Sequence, residues 1–149
     1  MRGILGIMAC LIAASAALVW ASEKKIQMKD LPPAVQKAVE EQSKGATLAG
    51  LAKEVENGVT LYEAEFKIGG RTRDVTFDPN GQVVIVEEET SIDSIPAAAR
   101  EAIQRSAGKR KLLLVETVSE RGSTFYEAHY RAGILSKELK VDAAGKPVK

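Results

Sequence analysis

Residues suited to catalysis are scarce in this chain of 149 residues, which contains one histidine and one cysteine. Hydrolysis by a nucleophile needs a serine, cysteine or threonine beside a base and a group that orients the base. His129 is the only imidazole, Cys10 lies in an N-terminal apolar run, and no serine occupies a Gly-x-Ser-x-Gly elbow. The sequence therefore predicts no catalytic residue, and a hydrolase is the least favoured alternative.

Metal and cofactor chemistry also has few candidate residues. A metal site at His129 would need further nitrogen or thiolate ligands, and the chain after residue 21 offers none. We therefore predict no cofactor and no bound metal. His129 is interpreted as a solvent-facing side chain, and the alternative is a pH-sensitive contact in a partner interface.

Two segments with alternating side chains define a candidate partner-binding face. In residues 62–68 and 126–132, apolar side chains alternate with charged ones, as in half-buried antiparallel strands. The charged rows are predicted to point away from the core. An aromatic side chain among charges is typical of a protein contact, whereas charge alone is typical of a solvated face. The candidate partner-binding residues are Leu61, Glu63, Glu65, Phe125, Glu127, His129 and Arg131.

An internal repeat supplies the elements that position these residues. A shift of 64 residues aligns Leu31–Ile85 with Ile95–Lys149 without a gap. The matched positions include helix prolines, turn glycines and a Tyr-Glu-Ala triplet, and this combination indicates duplication. We predict a first repeat at residues 22–89 and a second at residues 90–149, with residues 87–90 as a linker or a solvated strand end.

Each repeat is predicted to hold one helix and then four antiparallel strands. Asp30 and Ser94 are the predicted N-caps, ahead of prolines in the first turn. Tyr62 and Tyr126 are predicted at equivalent core positions, and the last strand of the second repeat is truncated to residues 146–149. The predicted fold class is α+β, in which two tandem helix-plus-four-stranded antiparallel sheet units form one continuous sheet with the helices on one face.

The order of these features resembles the PepSY-like domains, and is most similar to the β-lactamase-inhibitor-like, PepSY-like group of exported bacterial proteins. The resemblance implies an exported α+β protein with paired units that binds or inhibits other proteins, and it supplies no catalytic residues. The short last strand departs from the pattern. The residues that carry the resemblance are Leu31-Pro32, Gly58, Tyr62-Glu63, Asp78, Gly81 and their counterparts 64 residues further on.

The N-terminus predicts export. Arg2 precedes an uncharged, mostly apolar run from Ile4 to Val19, and a cleavage site follows before Ser22, which is the order of a secretory signal. The alternative is an uncleaved anchor, although the run is short for a membrane span. Cleavage of residues 1–21 would remove the only thiol, so the mature chain would have no disulfide. We predict a periplasmic or secreted localisation.

Charge completes the functional interpretation. The mature chain would be neutral overall, which argues against nucleic acid as a partner, while residues 22–89 carry a net charge of −4 and residues 90–149 carry +4. The predicted function is an exported, non-enzymatic protein- or peptide-binding module, with inhibition of an envelope or secreted enzyme as the version that the resemblance implies. A small-ligand or metal carrier is the main alternative, and it would need a concave pocket.

Overall fold

The computed structural model describes residues 24–56 and 58–148. The predicted signal peptide, residues 1–21, lies outside this range. Among the residues described, no helix has the length and apolar character needed to cross a membrane.

An eight-stranded antiparallel sheet forms the framework of the described residues, and its strands follow chain order from one edge to the other. Two α-helices accompany the sheet. The helices are α1 (Pro33–Gln42) and α2 (Ala97–Ala107). The strands are β1 (Lys24–Lys25), β2 (Thr47–Glu56), β3 (Val59–Ile68), β4 (Arg71–Phe77), β5 (Val83–Glu89), β6 (Leu112–Glu120), β7 (Ser123–Ala132) and β8 (Leu135–Val141). The α+β class and the continuous sheet are therefore confirmed.

The centre of the sheet decides between the two interpretations of residues 87–89 in favour of a strand end. Residues 87–89, interpreted above as a linker or a solvated strand end, belong to β5 and pair with β6 between Glu87 and Val118 and between Glu89 and Glu116. This pairing makes the two halves of the chain one sheet. At the far edge, the predicted last strand is reduced to an isolated bridge between Val141 and Pro147.

The helices begin later than the predicted N-caps. Residues that precede a proline disfavour the helical region, and Leu31 and Ile95 accordingly adopt extended backbone conformations before Pro32 and Pro96. The prediction that Asp30 caps a helix starting at Leu31 was therefore wrong, and the same holds for Ser94. The Asp30 carboxylate instead accepts a hydrogen bond from the backbone N–H of Gln27, at 2.9 Å.

Both helices pack on the same face of the sheet. Val35 and Val39 of α1 contact one group of buried residues, and Ala99 and Ile103 of α2 contact a second. Strand register places the two groups of buried residues on one face of the sheet. Val86 contacts the first group and pairs with a residue of β6, and that residue lies on the same face as Val115 of the second group. The sheet residues of these clusters are Tyr62, Ala64, Phe66, Val75, Phe77, Val115, Ala128 and Val141.

The two tyrosines predicted at equivalent core positions differ in burial. Tyr62 is 8% exposed and belongs to the core, as predicted. Tyr126 is only partly buried beside the α2 cluster. Deeper in that half, Tyr130 is 6% exposed and its hydroxyl lies 3.0 Å from the Ser106 hydroxyl of α2. The predicted inward side chain Ile68 is exposed, because it lies at the end of β3.

Two tight turns contact the helices directly. Asp78 Oδ1 accepts hydrogen bonds from the backbone of its own turn, and Asp142 Oδ1 does the same in the later turn. Gly81 and Gly145 follow these aspartates with φ of 79° and 75°. A Cβ at either glycine would collide with a helix carbonyl, that of Ala34 or Ala98. Glycine is therefore required by both conformation and space.

Candidate functional site

The face of the sheet opposite the helices, called here the helix-free face, contains all seven predicted partner-binding residues. Side chains directly opposite in paired strands share a face, so register extends the predicted rows of β3 and β7 across the whole sheet. Among the described residues, the carboxylates on this face are Glu54, Glu63, Glu65, Asp74, Glu87, Glu89, Glu116, Glu120, Glu127 and Glu138. The lysines and arginines on it are Lys25, Lys67, Arg131 and Lys140.

The first-half part of this face is a solvated row. Glu65 is exposed, while Leu61 and Glu63 are half-buried. Glu65 lies opposite Gly50 on β2, and its carboxylate leans over that glycine, where an added Cβ would come within 2.9 Å of the carboxylate oxygen. This part of the face therefore matches the sequence prediction of an outward charged row.

The second-half part holds a compact group of polar side chains that we call the Glu–His cluster: Glu116, Glu127 and His129. The imidazole Nε2 lies 2.9 Å from Glu127 Oε1 and 3.5 Å from Glu116 Oε2. The side chains of Glu116 and Glu127 are only 7% and 9% exposed, and that of His129 is 23% exposed. The interpretation of His129 as a solvent-facing side chain was therefore wrong.

Electrostatics in the Glu–His cluster follow from this burial. Hydrogen bonding to Glu116 and to Glu127 raises the pKa of His129 to about 10, although desolvation opposes the shift. Burial, reinforced by the charges of Glu127 and Glu116, raises the pKa of Glu87 to about 7. Desolvation and Glu127 also raise the pKa of Glu138, which lies opposite His129 on β8. Carboxylates are thus crowded around the imidazole, and this crowding favours the protonated forms of Glu87 and Glu138.

Phe125 lies at the edge of this cluster and is half-buried. It pairs with Val118 of β6, which is fully buried although neither helix of the described residues lies on this face. The Lys140 Nζ lies 5.1 Å from the centre of the Phe125 ring and 3.4 Å from Glu120 Oε2. The aromatic side chain is therefore held in a cation–π contact, with part of its surface left accessible.

The sequence prediction missed Glu116, which is the most buried carboxylate on this face. A register shift between Leu112 and Leu114 sets the facing of β6, so alternation could not be followed from its start. The cross-strand pair Glu116 and Glu127 could have drawn attention to the position, because like charges placed directly opposite are unfavourable without a shared cation. The remaining predicted residue, Arg131, is exposed near the end of β7.

No family model matches the chain, and no curated protein matches it. A protein of Bacteroides eggerthii DSM 20697, provisionally described as periplasmic, is 19% identical with a TM-score of 0.65, over 80% of this chain and 86% of that chain. A DUF2874 family protein of Bacteroides uniformis ATCC 8492 is 20% identical with a TM-score of 0.62, over 79% and 86%.

A third solved structure bears on the predicted resemblance. A BLIP-like protein of Bacteroides fragilis NCTC 9343 is 24% identical with a TM-score of 0.57, over 80% of this chain and 84% of that chain. These similarities show a shared fold. The resemblance to β-lactamase-inhibitor-like proteins is thus confirmed for the fold, and the predicted localisation agrees with the description of the Bacteroides eggerthii protein.

Proposed function

We propose that this chain is an exported, non-enzymatic module that binds a protein or peptide with a basic surface through its helix-free face. The carrying observation is the charge of that face, where ten carboxylates of the described residues accompany four lysines and arginines and the His129 imidazolium. The chain as a whole has a net charge of only +1. The excess of negative charge is therefore local, and a local field of this kind attracts and orients a basic partner.

Burial supports a contact made around Phe125. Interface anchors are aromatic side chains within a polar surround, and Phe125 is half-buried between Val118 and Lys140. Glu65 and Arg131 lie further out and are exposed, as expected for a rim that steers association. Leu61 offers a second, half-buried apolar side chain in the first half of the same face.

We also propose that the chain arose by duplication of a PepSY-like unit, with one repeat at residues 22–89 and the other at residues 90–149. Its support is that β3 and β7 have bounds 64 residues apart, as do β4 and β8. Under this proposal, the two halves present equivalent rows to one partner. The BLIP-like neighbour supports enzyme inhibition as the specific form of binding.

The test compares variants of the mature chain in capture from an envelope extract, in the presence of a chelator. Glu65→Lys and Phe125→Ala alter exposed or half-buried positions of the helix-free face, and Glu101→Lys on α2 is the charge-matched control on the opposite side. We expect a protein captured by the wild type and by Glu101→Lys to be lost with Phe125→Ala. With that partner purified, Glu65→Lys should slow association at low salt, and Phe125→Ala should speed dissociation.

Glu127→Lys is a poor probe of this surface, since Glu127 is nearly buried beside His129 and the substitution would disturb folding. The proposal is wrong if Glu65→Lys and Phe125→Ala capture the same proteins as Glu101→Lys while circular dichroism shows all three folded. A parallel assay with purified β-lactamase tests the inhibitor form. Absence of inhibition there would remove that form and leave protein binding standing.

A further inference from the structure

The Glu–His cluster brings together three side chains whose donor atoms suit a metal ion. One imidazole nitrogen and one oxygen from each of two carboxylates all lie within 4.8 Å of one another. We propose that Glu116, Glu127 and His129 form a binding site for one zinc-like divalent cation, at a position where the sequence predicted no metal. The site lies on the proposed partner-binding face, but its existence does not depend on partner binding.

Distances in the cluster are close to those that zinc requires. Bonds of about 2.0–2.1 Å in a tetrahedral arrangement place neighbouring ligand atoms roughly 3.3 Å apart. The imidazole Nε2 lies 2.9 Å from Glu127 Oε1 and 3.5 Å from Glu116 Oε2, which brackets that separation. Two of the three separations therefore suit a shared ion, and the two carboxylate oxygens lie within 4.8 Å of each other.

The two carboxylates of the cluster share a single hydrogen-bond donor, and this supports a bound cation. Nε2 carries at most one proton, yet two nearly buried carboxylates are directed at it, and the nearer oxygen is that of Glu127. Glu116 is left with a weaker share of that single donor. A divalent cation bonded to all three atoms would neutralise both carboxylates at once, whereas the imidazolium supplies a single positive charge.

The donor set selects the kind of metal. Zinc accepts imidazole nitrogen and carboxylate oxygen together, and three protein ligands leave a fourth position for water or another group. Calcium prefers six to eight oxygen ligands and magnesium prefers an octahedral oxygen shell, neither of which this cluster supplies. His129 is 23% exposed, so the open position can be reached from solvent.

Neighbouring side chains provide a second layer of support. Glu138 lies opposite His129 on β8, a position from which an outer group can support a metal ligand. The first half lacks the second carboxylate of such a site. There Ala52 pairs with Glu63, whereas in the second half Glu116 pairs with Glu127.

The decisive experiment uses the untagged mature chain, freed of metal with a chelator and titrated with zinc chloride by calorimetry. We expect one equivalent of zinc to bind. Calcium chloride at the same concentrations should not bind to this site. His129 is the only histidine in the chain, so its imidazole signals in a nuclear magnetic resonance spectrum report directly on the site.

Variants separate this site from adventitious binding elsewhere. His129→Gln and Glu127→Gln should each weaken zinc binding by at least about tenfold, while Glu63→Gln, the matched carboxylate of the first half, should leave it unchanged. If one equivalent of zinc binds and leaves the imidazole signals of the wild type unmoved, the proposed site is wrong. Absence of zinc binding would also overturn it, and neither result would affect partner capture, which is measured with chelator present.

Discussion

The two halves of the helix-free face use corresponding strands but hold their charges in different ways. In the first half, Ala52 pairs with Glu63, and Glu65 is exposed. In the second half, Glu116 pairs with Glu127, and His129 stands between their carboxylates. Opposite the small Ala52 side chain, Glu63 is only half-buried, whereas a second carboxylate together with an imidazole produces a nearly buried polar cluster.

This difference shows that the facing of a strand does not determine the environment of its side chains. Glu63 and Glu127 occupy matching positions on β3 and β7, and both point away from the helices. Only Glu127 is nearly buried, because Glu116 on one side and Lys140 on the other pair with it across the sheet. Cross-strand neighbours decide whether such a row is a solvated surface or a site.

The largest expected contrast between the halves lies in the cores beneath the two rows. Tyr62→Ala should lower the free energy of unfolding by about 3–5 kcal/mol, because it leaves a cavity in a closed core. Tyr126→Ala should cost less, roughly 1–2 kcal/mol, since Tyr126 is only partly buried. Urea unfolding monitored by circular dichroism measures both. Equal losses would contradict the difference in burial described here.

Period-two alternation in the sequence predicted the facing of β3 and β7 correctly, and all seven candidate residues lie on one face. Burial of Glu127 and His129 was not predictable from alternation within one strand, because it depends on Glu116 and Glu138 from neighbouring strands. The register shift in β6 hid Glu116 in particular. Helix starts were misplaced for a local reason, the constraint on residues that precede Pro32 and Pro96.

A second contrast concerns the glycines that should behave alike in both halves. Gly81→Ala and Gly145→Ala each place a methyl group against a helix carbonyl at positive φ, so each should cost about 1–3 kcal/mol of unfolding free energy. Gly69→Ala is the control, because its φ is also positive but no atom lies within 4 Å of the added carbon. A loss at Gly81 or Gly145 no greater than at Gly69 would mean that the turn does not pack on its helix.

The smallest expected effect lies at Glu87, where the two halves meet and the carboxylates of the second half act on the first. Its pKa is raised from 4.5 to about 7 in the folded chain by burial and by the charges of Glu127 and Glu116. The folded state therefore binds a proton more tightly than the unfolded state. The resulting stabilisation is complete below pH 4.5 and is lost as the pH rises through about 7.

Glu87→Gln should remove this pH dependence in chelated protein. Asp74, Glu116, Glu127 and Lys140 all act on Glu87, and the three carboxylates outweigh the one lysine, so ionisation at high pH is unfavourable. We expect the variant to be more stable than the wild type at pH 8 by on the order of 1 kcal/mol, and to differ little at pH 4.5. Glu101→Gln on the exposed side of α2 serves as the control in the same urea titrations. A variant no more stable than the wild type at pH 8 would show that Glu87 ionises without penalty, and hence that Glu116 and Glu127 do not disfavour its charge.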